Sequence, residues 1–300
     1  MSKTLIGIAA AAALAATPAL AADMPLKAPP SPAAVFSWTG FYVGGNIGYS
    51  WGDAHDDFSA SAPFSGAAPT ACTPVGPVVC AAASDSNHLD GAIGGLQAGY
   101  NWQYDRYLAG IESDFQISGQ RQRGSNTVTA YSAAGPFNTD AVTYNNSDSL
   151  NWLGTLRGRL GITTDRWLVY GTGGLAYGEV KVVGSAAATG VPITGSVGSC
   201  VSASGCPFQP FGAWSNSQIP VGWTAGFGVE RVLGDDHWSV KLEYLYVDLG
   251  SVHTTFATQA LCFGNGNLGG ASCGNLSPGS GTFSTRVIDN IVRLGANYRF

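Results

Sequence analysis

The chain has 300 residues, and Lys, Arg, Asp and Glu supply only 11% of them, against about 25% in a soluble domain. A net charge of −5 leaves no basic face for nucleic acid, and a hydrophobic content of 45% excludes a polar, disordered chain. A secreted Gly-rich β protein, a membrane protein and a low-complexity assembly protein remain.

Residues 1–21 read as a signal peptide. Lys3 gives the positive start, Leu5 to Ala16 the apolar stretch, and Ala19-Leu20-Ala21 an Ala-x-Ala cleavage site. Residues 22–37, with Pro25, Pro29, Pro30 and Pro32, read as an extended periplasmic segment. Beyond them no apolar run approaches the ~18 residues of a membrane helix. Too little charge for a soluble surface and no spanning helix together point to a transmembrane β-barrel over residues 38–300. In such a barrel the apolar residues are spread over alternate positions.

Period two carries that reading. The first strand sets Phe41, Val43, Ile47, Tyr49 and Trp51 against Tyr42, Gly44, Asn46 and Ser50. The second sets Leu96, Tyr100 and Trp102 against Gln97 and Asn101. The third sets Tyr107, Ile111, Phe115 and Ile117 against Glu112, Asp114 and Gln116. The fourth sets Leu150, Trp152, Leu156 and Leu160 against Asn151, Leu153, Arg157 and Arg159. A less regular fifth turns Trp167, Val169, Leu175 and Tyr177 outward. The sixth sets Val221, Trp223, Phe227 and Val229 against Thr224 and Glu230, and the seventh sets Trp238, Val240, Leu242, Tyr244 and Tyr246 against Lys241 and Glu243. The eighth sets Val292, Leu294, Tyr298 and Phe300 against Arg293 and Asn297. The result is an all-β, eight-stranded antiparallel up-and-down barrel. Short turns at 104–106, 163–166 and 234–237 alternate with four long stretches, 53–89, 119–148, 179–219 and 249–286, read as extracellular loops. Trp51, Trp102, Tyr107, Trp167, Trp238 and Phe300 stand at strand ends as an interfacial girdle would.

The inward positions carry Glu112, Asp114, Glu230 and Glu243 with Arg157, Arg159, Lys241 and Arg293. Four acids face four bases, and burial demands that they pair. Adjacent strands bring Glu112 to Arg157, and Glu230 to Lys241 across their shared turn. Two uses stay open: a plug that fills a small lumen, or a narrow ion path. Cys72 and Cys80, Cys200 and Cys206, and Cys262 and Cys273 each fall within one outer stretch. An oxidising compartment then favours three local disulfides. No CxxC or adjacent His pattern suggests a metal. His55, His88 and His253 lie at the bases of outer stretches and are the candidates for a haem site. His55 near Asp53, Asp56 and Asp57, and His253 near Asp248 and Ser251, make weak catalytic pairs, because sequence neighbours on a strand face opposite ways. No enzyme is expected.

The stretch Trp38-Thr39-Gly40-Phe41-Tyr42-Val43-Gly44-Gly45-Asn46-Ile47-Gly48-Tyr49 resembles the opening strand of the small outer-membrane immunogenic, porin-like proteins of alphaproteobacteria, within the OmpA-like eight-stranded group. Thr164 to Gly171 and the end Leu294-Gly295-Ala296-Asn297-Tyr298-Arg299-Phe300 are similar to the same family. The resemblance implies a surface antigen of the bacterial outer membrane, some of whose relatives are described as porin-like or haem-binding. It also implies that Phe300 is read by the barrel-assembly machinery. The expected function is envelope integrity and surface interaction, with a small channel and a haem-binding surface protein as the alternatives.

Overall fold

The computed structural model describes residues 36–63, 78–132, 139–189, 209–234, 236–258 and 279–300. Nine strands form one antiparallel sheet among them: β1 Gly40–Pro63, β2 Val78–Tyr104, β3 Tyr107–Ser132, β4 Thr139–Thr164, β5 Trp167–Thr189, β6 Gln209–Gln218, β7 Val221–Val232, β8 Trp238–Thr258 and β9 Gly279–Arg299. Each pass pairs with the next, and β1 pairs with β9, so the sheet closes into a barrel. β6 and β7 are one pass broken at Ile219-Pro220, where proline has no N–H to give to a ladder. β7 continues along β8, whereas β6 meets β8 only at Gly212 and Thr258. The barrel thus has the expected eight passes.

The short turns follow from residue chemistry. Tyr104 pairs with Tyr107 and Thr164 with Trp167, leaving two-residue connections. Asp105 and Asp165 take φ of 54° and 50° there, a left-handed conformation that Asp tolerates better than most residues.

The outward face of the lower strands is apolar, from the turns up to a ring holding Tyr49, Trp51, Trp152, Tyr177, Trp223 and Tyr246. Phe41, Ile47, Leu96, Ile111, Phe115, Leu156, Leu160, Val169, Phe227, Leu242 and Leu294 are exposed on it. That belt uses the 9–11 residues per strand that a membrane crossing needs. The predicted lower ring of Trp102, Tyr107, Trp167, Trp238 and Phe300 is exposed as well.

Above the belt the structure corrects the reading of long loops. The strands do not stop at Trp51 or Trp152: five of them run 23 to 27 residues. Much of 53–89, 119–148, 179–219 and 249–286 is strand. The outward face there is polar, with His55, Asp57, His88, Arg121, Arg123 and Lys181. The inward face becomes the core. Phe58, Val142, Tyr144, Val182, Trp214, Val252, Phe256 and Phe283 are buried within it. Phe58 stacks on Tyr144 at 4.8 Å, and Trp214 on Phe256 at 4.8 Å and Phe283 at 5.1 Å.

One alternation is also corrected. Leu150 was expected outward but is buried with Leu153 inside the barrel. The β4–β5 register shifts between these two residues, so an irregularity at Asn151-Trp152 returns Leu150 to the interior. A second shift, in the β8–β9 pairing, uses Gly250 at φ 73°, a conformation open to glycine without strain.

Candidate functional site

The barrel interior carries the chemistry, and it is layered. At the turn end, Trp38 is fully buried against Leu108, Leu168, Tyr170 and Val232, with Phe36 packed alongside. Its backbone N–H donates to Gln103 Oε1 at 2.7 Å, and the Arg299 guanidinium stands 4.5 Å from the Phe36 ring centre and 5.3 Å from that of Trp38. The segment entering β1 therefore caps this mouth with an aromatic plug. Sequence reasoning had placed Trp38 only at the start of the first strand.

Above the plug lie all eight of the predicted lumen charges, each no more than 3% exposed. Arg157 bonds Glu112, reaches Asp114 at 2.8 Å and lies 3.2 Å from Glu243. Arg159 bonds Glu230 at 2.8 Å and Glu112 at 3.3 Å. Lys241 donates to both oxygens of Glu112, at 2.9 and 2.8 Å. Arg293 joins Glu243 to Asp114, the latter at 2.9 Å. Glu112 is the hub, within salt-bridge distance of all four bases. The Glu112–Arg157 pair forms as expected. Glu230 and Lys241 are indeed opposite in register, but Lys241 turns to Glu112 and Glu230 to Arg159. The cause is reach: long side chains converge at the centre of a narrow barrel, so the partner across the lumen competes with the cross-strand one.

Two tyrosines complete the network. Tyr42 donates to Glu112 Oε2 at 2.7 Å and accepts from Arg159 at 2.6 Å. Tyr170 donates to Glu243 at 2.8 Å beneath the Arg159 guanidinium, which sits 4.0 Å from its ring centre. Gly99 and Gly228 leave the space for these rings, since a Cβ at either would overlap Tyr42 or Tyr170. Asn46, Gln97, Asn297 and Ser239 carry the hydrogen bonding on to Glu230.

Higher still are carboxylates that sequence reasoning did not assign to the interior. Asp289 accepts from Ser50 and from Gln120 at 3.0 Å. Asp56 and Asp148, above the aromatic ring that bounds the belt, are each 1% exposed. Asp56 Oδ2 accepts from Asn146 at 2.7 Å, Asn87 at 3.0 Å and Gln122 at 3.3 Å. Asp148 Oδ2 accepts from Gln122 at 2.5 Å and Asn146 at 3.2 Å. Burial pushes the Asp56 carboxyl up, against the hydrogen bonds that hold it down. Burial, with the Asp56 charge beside it, pushes Asp148 up to about 7. The clue in the sequence was the even spacing of Ala54, Asp56, Phe58 and Ala60, which continues the inward phase of β1.

The three histidines proposed for haem sit on the outward face of the strand extensions. His88 Nδ1 lies 2.9 Å from Asp53, and His55 Nδ1 2.7 Å from Ser86. His253 pairs in register with Ser284, two strands away from β1. The structure therefore distributes them along an outer wall. Cys72, Cys200, Cys206, Cys262 and Cys273 and the Cys80 side chain lie outside the described residues, as do residues 1–35. Among the described residues no three His, Cys, Asp or Glu side chains gather as a metal set.

A closed antiparallel barrel with an apolar belt, aromatic girdles and a charged, filled interior is an integral outer-membrane β-barrel protein. The outer membrane protein beta-barrel domain matches residues 7–300, and the chain belongs to that family. It is 34% identical over 303 residues to a 31 kDa outer-membrane immunogenic protein of Brucella melitensis, covering 98% of both chains. It is 25% identical over 274 residues to a 22 kDa outer membrane protein of Rhizobium leguminosarum, covering 91% of this chain and 82% of that one. Among solved structures, the outer membrane protein OprG of Pseudomonas aeruginosa aligns at 13% identity and a TM-score of 0.37, over 87% of this chain and 97% of that one.

Proposed function

We propose that the protein is a sealed structural barrel that contributes to envelope integrity and holds its outer rim toward the surroundings. Its partners in this reading are the lipid around the belt and, through Phe300, the barrel-assembly machinery. Phe300 suits that role: it is exposed beside Phe41 and Tyr298, with ring centres 5.7 and 5.3 Å away. The observation that carries the reading is the filled lumen, blocked in turn by the Trp38 plug, the Glu112 network and the apolar core around Phe58 and Trp214. An ion crossing it would have to part charge pairs that are held together away from water, which is costly. Surface display gains support from the Brucella relatives, named as immunogenic.

Planar-bilayer recording of the refolded protein tests this reading. The expected trace has no steady conductance, and a stable open level would replace the sealed barrel with the porin-like channel. A deletion strain should also show increased sensitivity to detergent, restored by the intact gene.

A further inference from the structure

We infer that Asp56, Asp148, Asn146 and Gln122 form a binding site for a hard divalent cation of the calcium class, inside the extracellular half of the barrel. The four side chains come from β1, β3 and β4 and are at most 5% exposed. Their polar heads meet: the Asn146 and Gln122 amides each lie between the two carboxylates, at 2.5 to 3.3 Å.

The cluster is short of donors. Asp148 Oδ1, Asn146 Oδ1 and Gln122 Oε1 are buried without a hydrogen-bond partner, while Asp56 has the buried Thr285 hydroxyl of β9 as a further donor. Three orphan oxygens around a pair of buried carboxylates represent an excess of acceptors and of negative charge. One proton on the pair would supply one donor and leave the amide oxygens unmet. A cation would satisfy the carboxylates and the amides together.

The charged groups on the surrounding strands do not supply that compensation. Arg121 and Arg123 on β3, Lys181 on β5 and Arg286 on β9 are exposed on the outer wall. Asp57 on β1 is exposed and takes its bond from Ser84, while Asp85 on β2 takes one from Asn126. β8 contributes Val252 and Thr254 to the interior.

A half-turn of the Asn146 and Gln122 amide heads exchanges the NH2 donors for the carbonyl oxygens with the shape of the side chain unchanged. It would set both amide oxygens beside both carboxylates. The present spacings of 2.5 to 3.3 Å bracket the roughly 3 Å between neighbouring oxygens around a cation with ligands at about 2.4 Å. Carboxylates with amide carbonyls, in a set of adaptable geometry, fit Ca²⁺ better than Mg²⁺, which keeps several waters and requires near-octahedral order.

The test is calorimetric titration of Ca²⁺ into the full-length refolded barrel in detergent, freed of metal by chelation, at about pH 8. Heat-modifiable gel migration establishes that each variant is folded. Saturable binding of one ion per chain is expected. Asp148→Asn and Asp56→Asn should each weaken it about tenfold or more, and Asn146→Asp should keep or strengthen it. Affinity should also fall as the pH drops toward 5, because protons compete for the same carboxylates. No saturable binding up to about 10 mM Ca²⁺ would overturn the proposal and leave Asp56 and Asp148 as a proton-sharing pair. Undiminished binding in the folded variants would overturn it too, placing the ion on exposed acids such as Asp53 and Asp57. If Asp148→Asn yields no folded form, Asp56→Asn and Asn146→Asp decide the matter between them.

Discussion

Within the lipid belt, four buried carboxylates face four bases, and every one has a charged partner within 3.5 Å. In the half of the barrel above it, Asp56 and Asp148 meet amides and the Thr285 hydroxyl but no base. The two regions share one wall and one alternation, yet they treat buried charge in opposite ways. Below, balance is internal to the fold, and a rigid ion network takes the place of an apolar core. Above, the core is apolar and aromatic, and the Asp56–Asp148 pair is buried in it with no base alongside. Solution conditions can therefore act on the upper half far more than on the lower.

The largest break in that contrast should come from Glu112→Ala. It leaves four buried bases with three acids and removes the hub that all of them share. A loss of about 3–5 kcal/mol is expected for an uncompensated buried charge, read as a lower urea midpoint in lipid vesicles or as failure to fold. Trp38→Ala comes next. It empties the plug without unpairing a charge, so about 3 kcal/mol is expected from lost packing. Faster solvent exchange of amides near Tyr170 would show that the turn-end mouth has opened.

A third test sharpens the comparison by pH. Asp148 titrates at about 7 in the folded barrel and near 3.9 in an unfolded chain. The folded state thus holds a proton that the unfolded state has released. This contribution is fully present below about pH 4 and is lost as the pH rises through about 7. With chelator present, urea midpoints should fall across that window. Asp148→Asn should flatten the decline, and an unchanged slope would place the titrating group elsewhere.

How much of this the sequence disclosed depends on which face was apolar. In the belt, Phe41, Val43, Ile47, Tyr49 and Trp51 alternate with small or polar residues, so lipid exposure marks the strand directly. Above Trp51 the phase continues but polarity inverts: His55, Asp57 and Ser59 face out, while Ala54, Phe58 and Ala60 face in. A search for apolar-out strands ends at that inversion, which is why the extensions read as loops. The lumen charges were legible because an inward charge in a lipid-facing strand is conspicuous. The choice of Glu112 over Glu230 by Lys241 was not, since it depends on distances across the lumen. The irregularity at Asn151-Trp152 hid Leu150 for a related reason: one extra residue reverses the inward and outward phase between its two sides.

The strand extensions have a consequence for whatever approaches the cell. About ten further residues per strand, tilted as barrel strands are, raise the rim about 25 Å above the lipid. An antibody or other large ligand arriving from outside would meet the side of a β wall before it met lipid. Neighbours on that wall, such as His55 on β1, Ser86 on β2 and Arg286 on β9, come from distant parts of the chain. The features that identify this surface exist only while the barrel is closed, so recognition of the wall is also a reading of whether the protein has folded.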